Sequence, residues 1–310
     1  MKFAFVFPGQ GSQSVGMMEM FAAEYGEVGI VFAEASEALG YDLWKLVQEG
    51  PAEQLNQTEY TQPAMLAAGV ATWRVYLSLC DEKPAIMAGH SLGEYSALVC
   101  SDAIAFWDAV KLVAERGRLM QSAVPEGQGA MAAVLGLDDD VVIRLCEQAA
   151  DAGVVQAVNF NSPGQVVIAG QSLAVEKAMQ LAQASKAKRV MKLPVSVPSH
   201  SRLMMEAAEQ LAGQLAAVEI KAPAIPVINN VSADSCDDAD GIRDALMRQL
   251  YNPVLWVDSV KTMISRGAEA TVECGPGKVL AGLNKRIDKA VPAYALDTPD
   301  AMTRVIDILK

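Results

Sequence analysis

Histidine, paired cysteines and long apolar runs are scarce in this 310-residue chain, and each scarcity excludes a class of protein. Histidine occurs only at His90 and His200, so a histidine-rich metal site is excluded and an imidazole base has two candidates. The five cysteines include no Cys-x-x-Cys pair, which argues against a zinc ribbon or a thioredoxin-like redox site. No stretch approaches the roughly 18–20 consecutive apolar residues of a membrane span. We therefore predict no metal and no membrane-spanning segment.

Positive charge is also scarce. Lys and Arg number 25 against 37 Asp and Glu, for a formal net charge of −12. Because phosphate binding requires a basic surface, we expect no nucleic-acid binding, and an anionic ligand must be held by a local cation. The apolar run at residues 3–8 is too short for a signal-peptide core and is interpreted as a buried strand. The expected compartment is the cytoplasm.

The outer parts of the chain alternate between strand and helix patterns. Apolar runs at 3–8 and 84–90 predict two strands, and helical stretches at 18–38 and 62–79 lie between them. The alternation resumes after residue 198, with a helix at 201–217, a strand at 225–231, a helix at 240–250 and a strand at 269–274. Such alternation is typical of a parallel α/β sheet.

The middle of the chain follows a different order. It consists of a strand at 129–137, a helix at 138–151, strands at 153–159 and 165–169, a helix at 171–187 and a strand at 189–196. This βαββαβ order predicts a ferredoxin-like subdomain at 126–197, inserted into a larger domain formed by 1–125 and 198–310.

The most informative motif is Gly-His-Ser-Leu-Gly at residues 89–93, between a predicted strand and a predicted helix. In that context Gly-x-Ser-x-Gly is typical of the nucleophile elbow of α/β-hydrolase-like enzymes. The turn is so tight that side chains flanking the serine would collide, which explains the two glycines. Ser91 is therefore the candidate nucleophile. The backbone N–H of Leu92, at a helix start, can stabilise an oxyanion.

A serine hydroxyl needs a base within hydrogen-bond reach. His90 adjoins Ser91, but adjacent side chains on such a turn point apart, so His90 is the weaker candidate. His200 precedes a predicted helix, whose N-terminus disfavours the imidazolium and keeps the ring basic. We therefore identify His200 as the base. No acidic residue is an obvious third member, so a backbone carbonyl could orient the ring.

A predicted helix at 103–122 carries one cation on its apolar side. Arg116 lies among apolar residues at helical spacing, whereas Arg118 lies on the opposite, polar side and is expected to be a solvated charge. A buried arginine needs an anionic partner, because an unpaired buried charge costs several kcal/mol. That partner could be an internal carboxylate or the carboxylate of a ligand held bidentately.

The loop Gly-Gln-Gly-Ser-Gln at residues 9–13 follows the first predicted strand. It lacks the Gly-Lys-Ser/Thr of a Walker loop and the third glycine of a dinucleotide-binding fingerprint. Its position after the strand instead suits the second oxyanion donor of an α/β-hydrolase-like site.

Five motifs occur in an order that resembles one enzyme family. They are Phe-Pro-Gly-Gln-Gly-Ser-Gln at 7–13, Gly-His-Ser-Leu-Gly-Glu-Tyr at 89–95, Arg-Gly-Arg at 116–118, Pro-Ser-His at 198–200 and Glu-Cys-Gly-Pro-Gly at 273–277. The set, which covers almost the whole chain, resembles the malonyl-CoA:acyl carrier protein transacylases of type II fatty acid synthesis. The resemblance implies an α/β-hydrolase-like parallel-sheet domain with an inserted ferredoxin-like subdomain.

The resemblance also implies a role for each residue at the elbow. Ser91 would carry the malonyl group as an ester, and His200 would act as general acid and base. The backbone N–H groups of Gln10 and Leu92 would form the oxyanion hole.

Residues around the elbow receive roles in the same way. Arg116 would hold the free malonyl carboxylate, and the main-chain carbonyl of Gln249 would orient the histidine, so no acidic third member is expected. Asn159 and Asn161 are minor candidates for the pocket.

The implied partners are malonyl-CoA and acyl carrier protein, in a ping-pong reaction of a monomeric enzyme. No cofactor is implied, since the CoA thioester is a substrate. The carrier is acidic in this family, as is this chain, so docking requires local basic residues. The candidate clusters are Lys186, Lys188 and Arg189, and Lys285 with Arg286.

Three other interpretations compete with this one. A serine hydrolase shares the elbow and the base but passes the acyl group to water, although a buried Arg116 favours a charged acyl group. A loader for polyketide synthesis would use the same site. A non-catalytic scaffold that binds the carrier is disfavoured, because it has no reason to keep Ser91, His200 and Arg116 together.

Overall fold

A computed structural model describes residues 1–125, 127–195 and 197–310. Its strands are β1 (Phe3–Phe7), β2 (Ile86–Gly89), β3 (Gly129–Leu135), β4 (Val155–Ser162), β5 (Gln165–Gln171), β6 (Arg189–Lys192), β7 (Val227–Ile228), β8 (Ala270–Glu273) and β9 (Ala293–Ala295). Its first seven helices are α1 (Glu19–Glu24), α2 (Gly26–Leu39), α3 (Leu43–Glu49), α4 (Ala52–Leu55), α5 (Thr58–Leu79), α6 (Gly93–Cys100) and α7 (Phe106–Ser122). The remaining helices are α8 (Asp139–Ala149), α9 (Ser172–Ala184), α10 (Met205–Ala217), α11 (Ala239–Gln249), α12 (Trp256–Ser265), α13 (Val279–Ile287) and α14 (Pro299–Leu309).

Two sheets organise these elements. The larger sheet has the order β7-β2-β1-β8-β9, and all its strand pairs are parallel. The smaller sheet has the order β4-β5-β3-β6 and is antiparallel. The smaller sheet and its two helices follow the βαββαβ order of a ferredoxin-like unit. The predicted fold class, a parallel α/β domain with this insert, is confirmed.

Strand β1 shows why the central strands read as continuous apolar runs. All five residues are buried, because helices cover both faces of a parallel sheet. Phe3, Phe5 and Phe7 point into one hydrophobic cluster, which contains the apolar residues of α5. Ala4 and Val6 point into another, which contains residues of α12 and α13. Because side chains alternate along a strand, β1 is buried on both faces, with Phe3, Phe5 and Phe7 on one side and Ala4 and Val6 on the other.

The insert has a core of its own. One face of its sheet packs against α8 and α9 through Val134, Val142, Val166 and Val175, among others. The other face carries a smaller apolar cluster around Met131. The domain boundaries expected from the sequence stay predictions, and their first insert residue, Glu126, lies outside the described residues.

Several elements differ from the sequence expectations in length. Strand β7 has two residues rather than seven. Pro226 has no N–H for the ladder at its start, and after Ile228 the N–H of Asn229 donates to Asp234 O in a turn instead. The helix expected at 18–38 is divided into α1 and α2 by the extended backbone of Tyr25. Strand β6 ends at Lys192, before Pro194, and Ser196 at the end of the expected strand lies outside the described residues. In the described part of the chain, no helix is long and apolar enough to cross a membrane.

A side chain at Gly93 would collide with the first strand. A Cβ atom there would lie 2.0 Å from the carbonyl oxygen of Phe7, which is main chain and cannot rotate away. We expect Gly93→Ala to lower the free energy of unfolding by about 3 kcal/mol or more, measured by urea denaturation.

Gly213, on the exposed side of α10, is the matched control, because a Cβ atom there meets nothing within 4 Å. Gly213→Ala should raise the free energy of unfolding by about 0.5–1 kcal/mol through its helix propensity. Equal tolerance of both substitutions would contradict the close approach of α6 to β1.

Candidate active site

Ser91 lies on the turn between β2 and α6. Its backbone has φ of 52°, in the left-handed region. A Cβ atom on Gly89 would lie 1.8 Å from the carbonyl carbon of Gly93, and one on Gly93 would lie 2.0 Å from Phe7 O, so glycine is required at both positions. This main-chain geometry presents the Ser91 hydroxyl at the carboxyl edge of the parallel sheet.

His200 contacts the serine from the loop before α10. Its Nε2 lies 2.8 Å from Ser91 Oγ, and its Nδ1 lies 2.7 Å from the main-chain oxygen of Gln249. The backbone N–H of His200 also donates to Leu250 O at 2.9 Å. Because Gln249 O can only accept, it fixes the proton on Nδ1 and leaves the Nε2 lone pair for the serine hydroxyl.

The environment of His200 keeps its imidazole neutral. Burial, and next the nearby guanidinium of Arg116, lower the pKa of His200 to about 3, although the hydrogen bond to the Gln249 carbonyl opposes the shift. A neutral ring can accept a proton from the serine at any pH near neutrality. The unprotonated Nε2, 2.8 Å from Ser91 Oγ, makes His200 the candidate general base through its geometry, since a low pKa alone gives a weak base.

Arg116 reaches the serine from α7 and is 1% exposed. Its Nη1 donates to Gln62 Oε1 at 2.8 Å, and its Nη2 donates to Gln249 Oε1 at 2.9 Å and to Ser91 Oγ at 3.3 Å. Its Nε has no partner among the described residues. The guanidinium also lies over the ring of Tyr95, with its carbon 5.4 Å from the centroid. Burial lowers the pKa of Arg116.

The direct partners of this cation are all neutral. Within the described ranges, no carboxylate lies at salt-bridge distance from Arg116. Arg118, two residues along, instead forms an exposed ion pair with Glu115, at 2.5 Å. Of the two partners considered for Arg116, an internal carboxylate is thus not in direct contact, which leaves donors free for a ligand.

Gln10 and Leu92 are the two residues expected to supply backbone N–H groups to an oxyanion hole. Both residues line the same cavity as Ser91, and neither N–H has an acceptor in the described part of the chain. The loop that carries Gln10 lies close to the elbow, since a Cβ atom on Gly9 would be 2.4 Å from His90 O. Two free donors near a nucleophile can stabilise an oxyanion.

Three further residues complete the site and were not expected from the sequence. Asn230 follows β7; its Oδ1 accepts from the N–H of Ser91 and its Nδ2 donates to Gly89 O, both at 2.7 Å. Glu94, in α6, accepts from the Asn230 N–H at 2.9 Å. Burial raises the pKa of Glu94 to about 7, against its hydrogen bonds. Gln62, in α5, is the third, as an acceptor for Arg116.

The cavity that contains the site has a volume of about 540 Å³ and lies between the two sheets. Its wall on the insert side includes Met131, Val167, Leu193, Asn159 and Asn161. Asn161 Oδ1 lies 2.8 Å from Nε2 of His90, so the second histidine joins the insert to the elbow rather than contacting the serine. Across the described residues, no group of three or more His, Cys, Asp and Glu could hold a metal ion.

The family model that matches the chain is that of the acyl transferase domain, over residues 4–296. The match covers both sheets and every site residue described above. The fold and the serine–histidine site therefore define an acyltransferase.

Similar proteins narrow this class. The malonyl CoA-acyl carrier protein transacylase of Escherichia coli K12 is 58% identical over 307 residues, which cover 99% of each chain. An acyl carrier protein S-malonyltransferase from Vibrio cholerae is 57% identical, with a TM-score of 0.96, over 98% of this chain and 100% of that chain. A malonyl-transacylase, solved in complex with a type II PKS acyl-carrier protein, is 51% identical with a TM-score of 0.98, over 99% and 100%. The chain belongs to the malonyl CoA-acyl carrier protein transacylase family.

The state of His200 can be tested directly, because the chain has two histidines. With ¹⁵N-labelled imidazoles, we expect the neutral Nδ1–H form of His200 from pH 8 down to about pH 5, since its pKa is about 3. The unfolded chain takes up this proton near its ordinary pKa of about 6.5, so stability from His200 is complete above that pH and is lost toward pH 3. The spectrum of His200→Gln assigns the signals. An imidazolium pattern for His200 at pH 6 would contradict the buried, neutral base.

Proposed function

We propose that this enzyme transfers a malonyl group from malonyl-CoA to the phosphopantetheine thiol of acyl carrier protein, through an ester on Ser91, and so supplies fatty acid synthesis. The observation that carries the proposal is the buried Arg116 guanidinium, whose Nη2 lies 3.3 Å from Ser91 Oγ. A cation at that place favours an acyl group that ends in a carboxylate. The family to which the chain belongs supports the same substrate pair.

The first half-reaction forms the ester. Ser91 Oγ attacks the thioester carbonyl while its proton passes to Nε2 of His200, and the Gln249 carbonyl stabilises the imidazolium. The N–H groups of Gln10 and Leu92 hold the oxyanion. The C–S bond then breaks, and CoA leaves with the proton from His200.

The second half-reaction runs the same steps from the other side. The carrier thiol gives its proton to His200 and attacks the Ser91 ester. The C–O bond breaks, and Ser91 regains its proton from the imidazolium. No step needs a cofactor or a metal. The monomeric state and the cytoplasmic location expected from the sequence stay predictions.

Of the two candidate clusters for carrier docking, we prefer Lys285 and Arg286 to the cluster at 186–189. Both residues are exposed on α13, whose Leu280 and Leu283 line the cavity. Exposed cations on a helix that lines the cavity can steer an acidic carrier toward it.

A polyketide carrier is the second candidate acceptor. The observation that favours it is the 51%-identical relative solved with a type II PKS acyl-carrier protein. Both acceptors present the same phosphopantetheine thiol, so the chemistry at Ser91 is shared. The carrier that accepts malonyl faster from the acylated enzyme identifies the pathway.

Intact-protein mass spectrometry tests the proposal. After mixing with malonyl-CoA we expect one malonyl adduct, absent in Ser91→Ala and passed to phosphopantetheinylated carrier faster than it is lost to water. Loss to water at a rate independent of the carrier would identify a hydrolase. Absence of an adduct on folded enzyme would reject the malonyl group as substrate.

Arg116→Ala tests acyl selectivity. We expect the kcat/KM for acylation by malonyl-CoA to fall about 30- to 1000-fold, because a buried charge contact is lost, and acylation by acetyl-CoA to fall much less. Arg118→Ala is the matched control and should change neither rate, since its side chain is 56% exposed. Parallel loss of malonyl and acetyl transfer in Arg116→Ala would show that Arg116 is structural.

A further inference from the structure

Glu94 is a buried carboxylate that the transfer steps above do not use. It is 2% exposed and lies three residues after the nucleophile. Its Oε2 accepts from Gln249 Nε2 at 2.8 Å and from the Asn230 N–H at 2.9 Å. Burial of a carboxylate costs free energy, so its retention here calls for a compensating partner.

The Gln249 side chain connects this carboxylate to the cation. Its Nε2 donates to Glu94 and to Ser91 O, and its Oε1 accepts from Nη2 of Arg116. Both partners of the NH₂ end are acceptors, so the amide is oriented with its oxygen toward the guanidinium. A charged acceptor makes the stronger bond, so Glu94 contributes most to this orientation.

The Glu94 carboxylate and the Arg116 guanidinium also attract each other across the Gln249 side chain. Gln62, Gln249 and Ser91 are neutral, and the Coulomb attraction of Glu94 is among the effects that oppose the lowering of the Arg116 pKa. Because one amide separates the two charges, the carboxylate does not occupy the guanidinium donors. It does, however, repel any other carboxylate that approaches the same cation.

We propose that Glu94 is a positioning residue that acts as the counter-charge of Arg116 when no ligand is bound. It stabilises the guanidinium through Gln249. It also weakens the binding of the acyl carboxylate to the guanidinium. The substrate part of this inference rests on the proposed function. The repulsion favours release of a malonyl group after transfer, at the expense of initial binding. A carboxylate bound to Arg116 would lie beyond the Gln249 amide and its hydrogen bonds of 2.8 and 2.9 Å. At roughly 10 Å and an effective dielectric near 20, two charges still interact strongly enough to change a binding constant by about tenfold.

The affinity of CoA thioesters can be measured at equilibrium in a Ser91→Ala background, because no acyl transfer occurs there. Comparing malonyl-CoA with acetyl-CoA then separates an effect of charge from a change in structure. At pH 8, where Glu94 is ionised, adding Glu94→Gln should lower the Kd of malonyl-CoA by about tenfold. The Kd of acetyl-CoA should stay within about twofold, because it lacks the carboxylate. Calorimetric titration measures both. Unchanged or weaker malonyl-CoA binding, with acetyl-CoA following in parallel, would overturn the proposal.

Glu273→Gln is the matched control. Glu273 is also a buried carboxylate, 0% exposed, but it accepts from the N–H of Ala281 at the start of α13 and has no bond to Gln249. The ratio of malonyl-CoA to acetyl-CoA affinity should stay at the value of the Ser91→Ala background. An equal change of this ratio in both glutamate variants would also reject Glu94 as the specific counter-charge.

Melting temperatures test the charge coupling without any ligand. Arg116→Met removes the counter-charge of Glu94. At pH 8 the buried carboxyl must then either stay an unpaired anion or take up a proton against the solution pH, so this variant should melt below wild type. Adding Glu94→Gln to Arg116→Met should recover part of that loss, whereas strictly additive losses would overturn the coupling. If wild-type enzyme takes no malonyl group, the proposed function fails, and this melting series still decides the Glu94–Arg116 pair.

Discussion

Burial of the Arg116 guanidinium beside the Ser91 hydroxyl is the constraint to which the rest of the site responds. A cation in a 1%-exposed position needs acceptors, and a direct carboxylate would occupy the donors that a substrate must reach. The guanidinium is stabilised by the side-chain oxygens of Gln62 and Gln249 and by the face of Tyr95. The Glu94 carboxylate acts through the Gln249 amide, so it supplies negative charge without occupying the donors. Gln249 then serves four residues at once, because its side chain bonds to Arg116, Glu94 and Ser91 O and its main-chain oxygen holds His200.

The parallel sheet brings these groups together. The loop that carries Gln10 follows β1, the elbow follows β2, and Asn230 follows β7, so all three leave the sheet at its carboxyl edge. Open parallel sheets bind ligands at that edge, because successive loops converge there. The insert contributes the opposite wall, and helices α7 and α11 deliver Arg116 and Gln249. Residues far apart in the sequence therefore meet within hydrogen-bond distance of one serine.

The parts of the site that the sequence could predict are those with a local pattern. The Gly-x-Ser-x-Gly turn and the position of Arg116 on an apolar helix side each depend on a few neighbouring residues. The βαββαβ order was likewise visible in short periodic runs. Helices α12, α13 and α14 were not predicted, although α12 carries buried Trp256, Val260 and Met263 at helical spacing.

Contacts between distant residues left no such pattern. Asn230 meets Ser91 across 139 positions, and Glu94 meets Gln249 across 155. An asparagine after a strand and a glutamate in a first helical turn are common in any α/β protein. Only the packing of β7 and α11 against the elbow selects these two, and that packing depends on the whole core.

The seating of the insert has a further consequence. Each sheet has its own core. The bonds that join the insert to the rest of the chain include those of Val254 to Val158 and Phe160, of Arg202 to Gln156, and of His90 to Asn161. The width of the cleft therefore depends on how the insert is placed against the large sheet, since each has its own hydrophobic core. Val254 pairs with the wall residue Asn159 without lining the cavity itself, so a substitution at Val254 changes the seating of that wall without replacing a wall side chain. The range of acyl groups accepted by this architecture therefore depends on the contacts between the two subdomains as well as on the side chains that line the pocket.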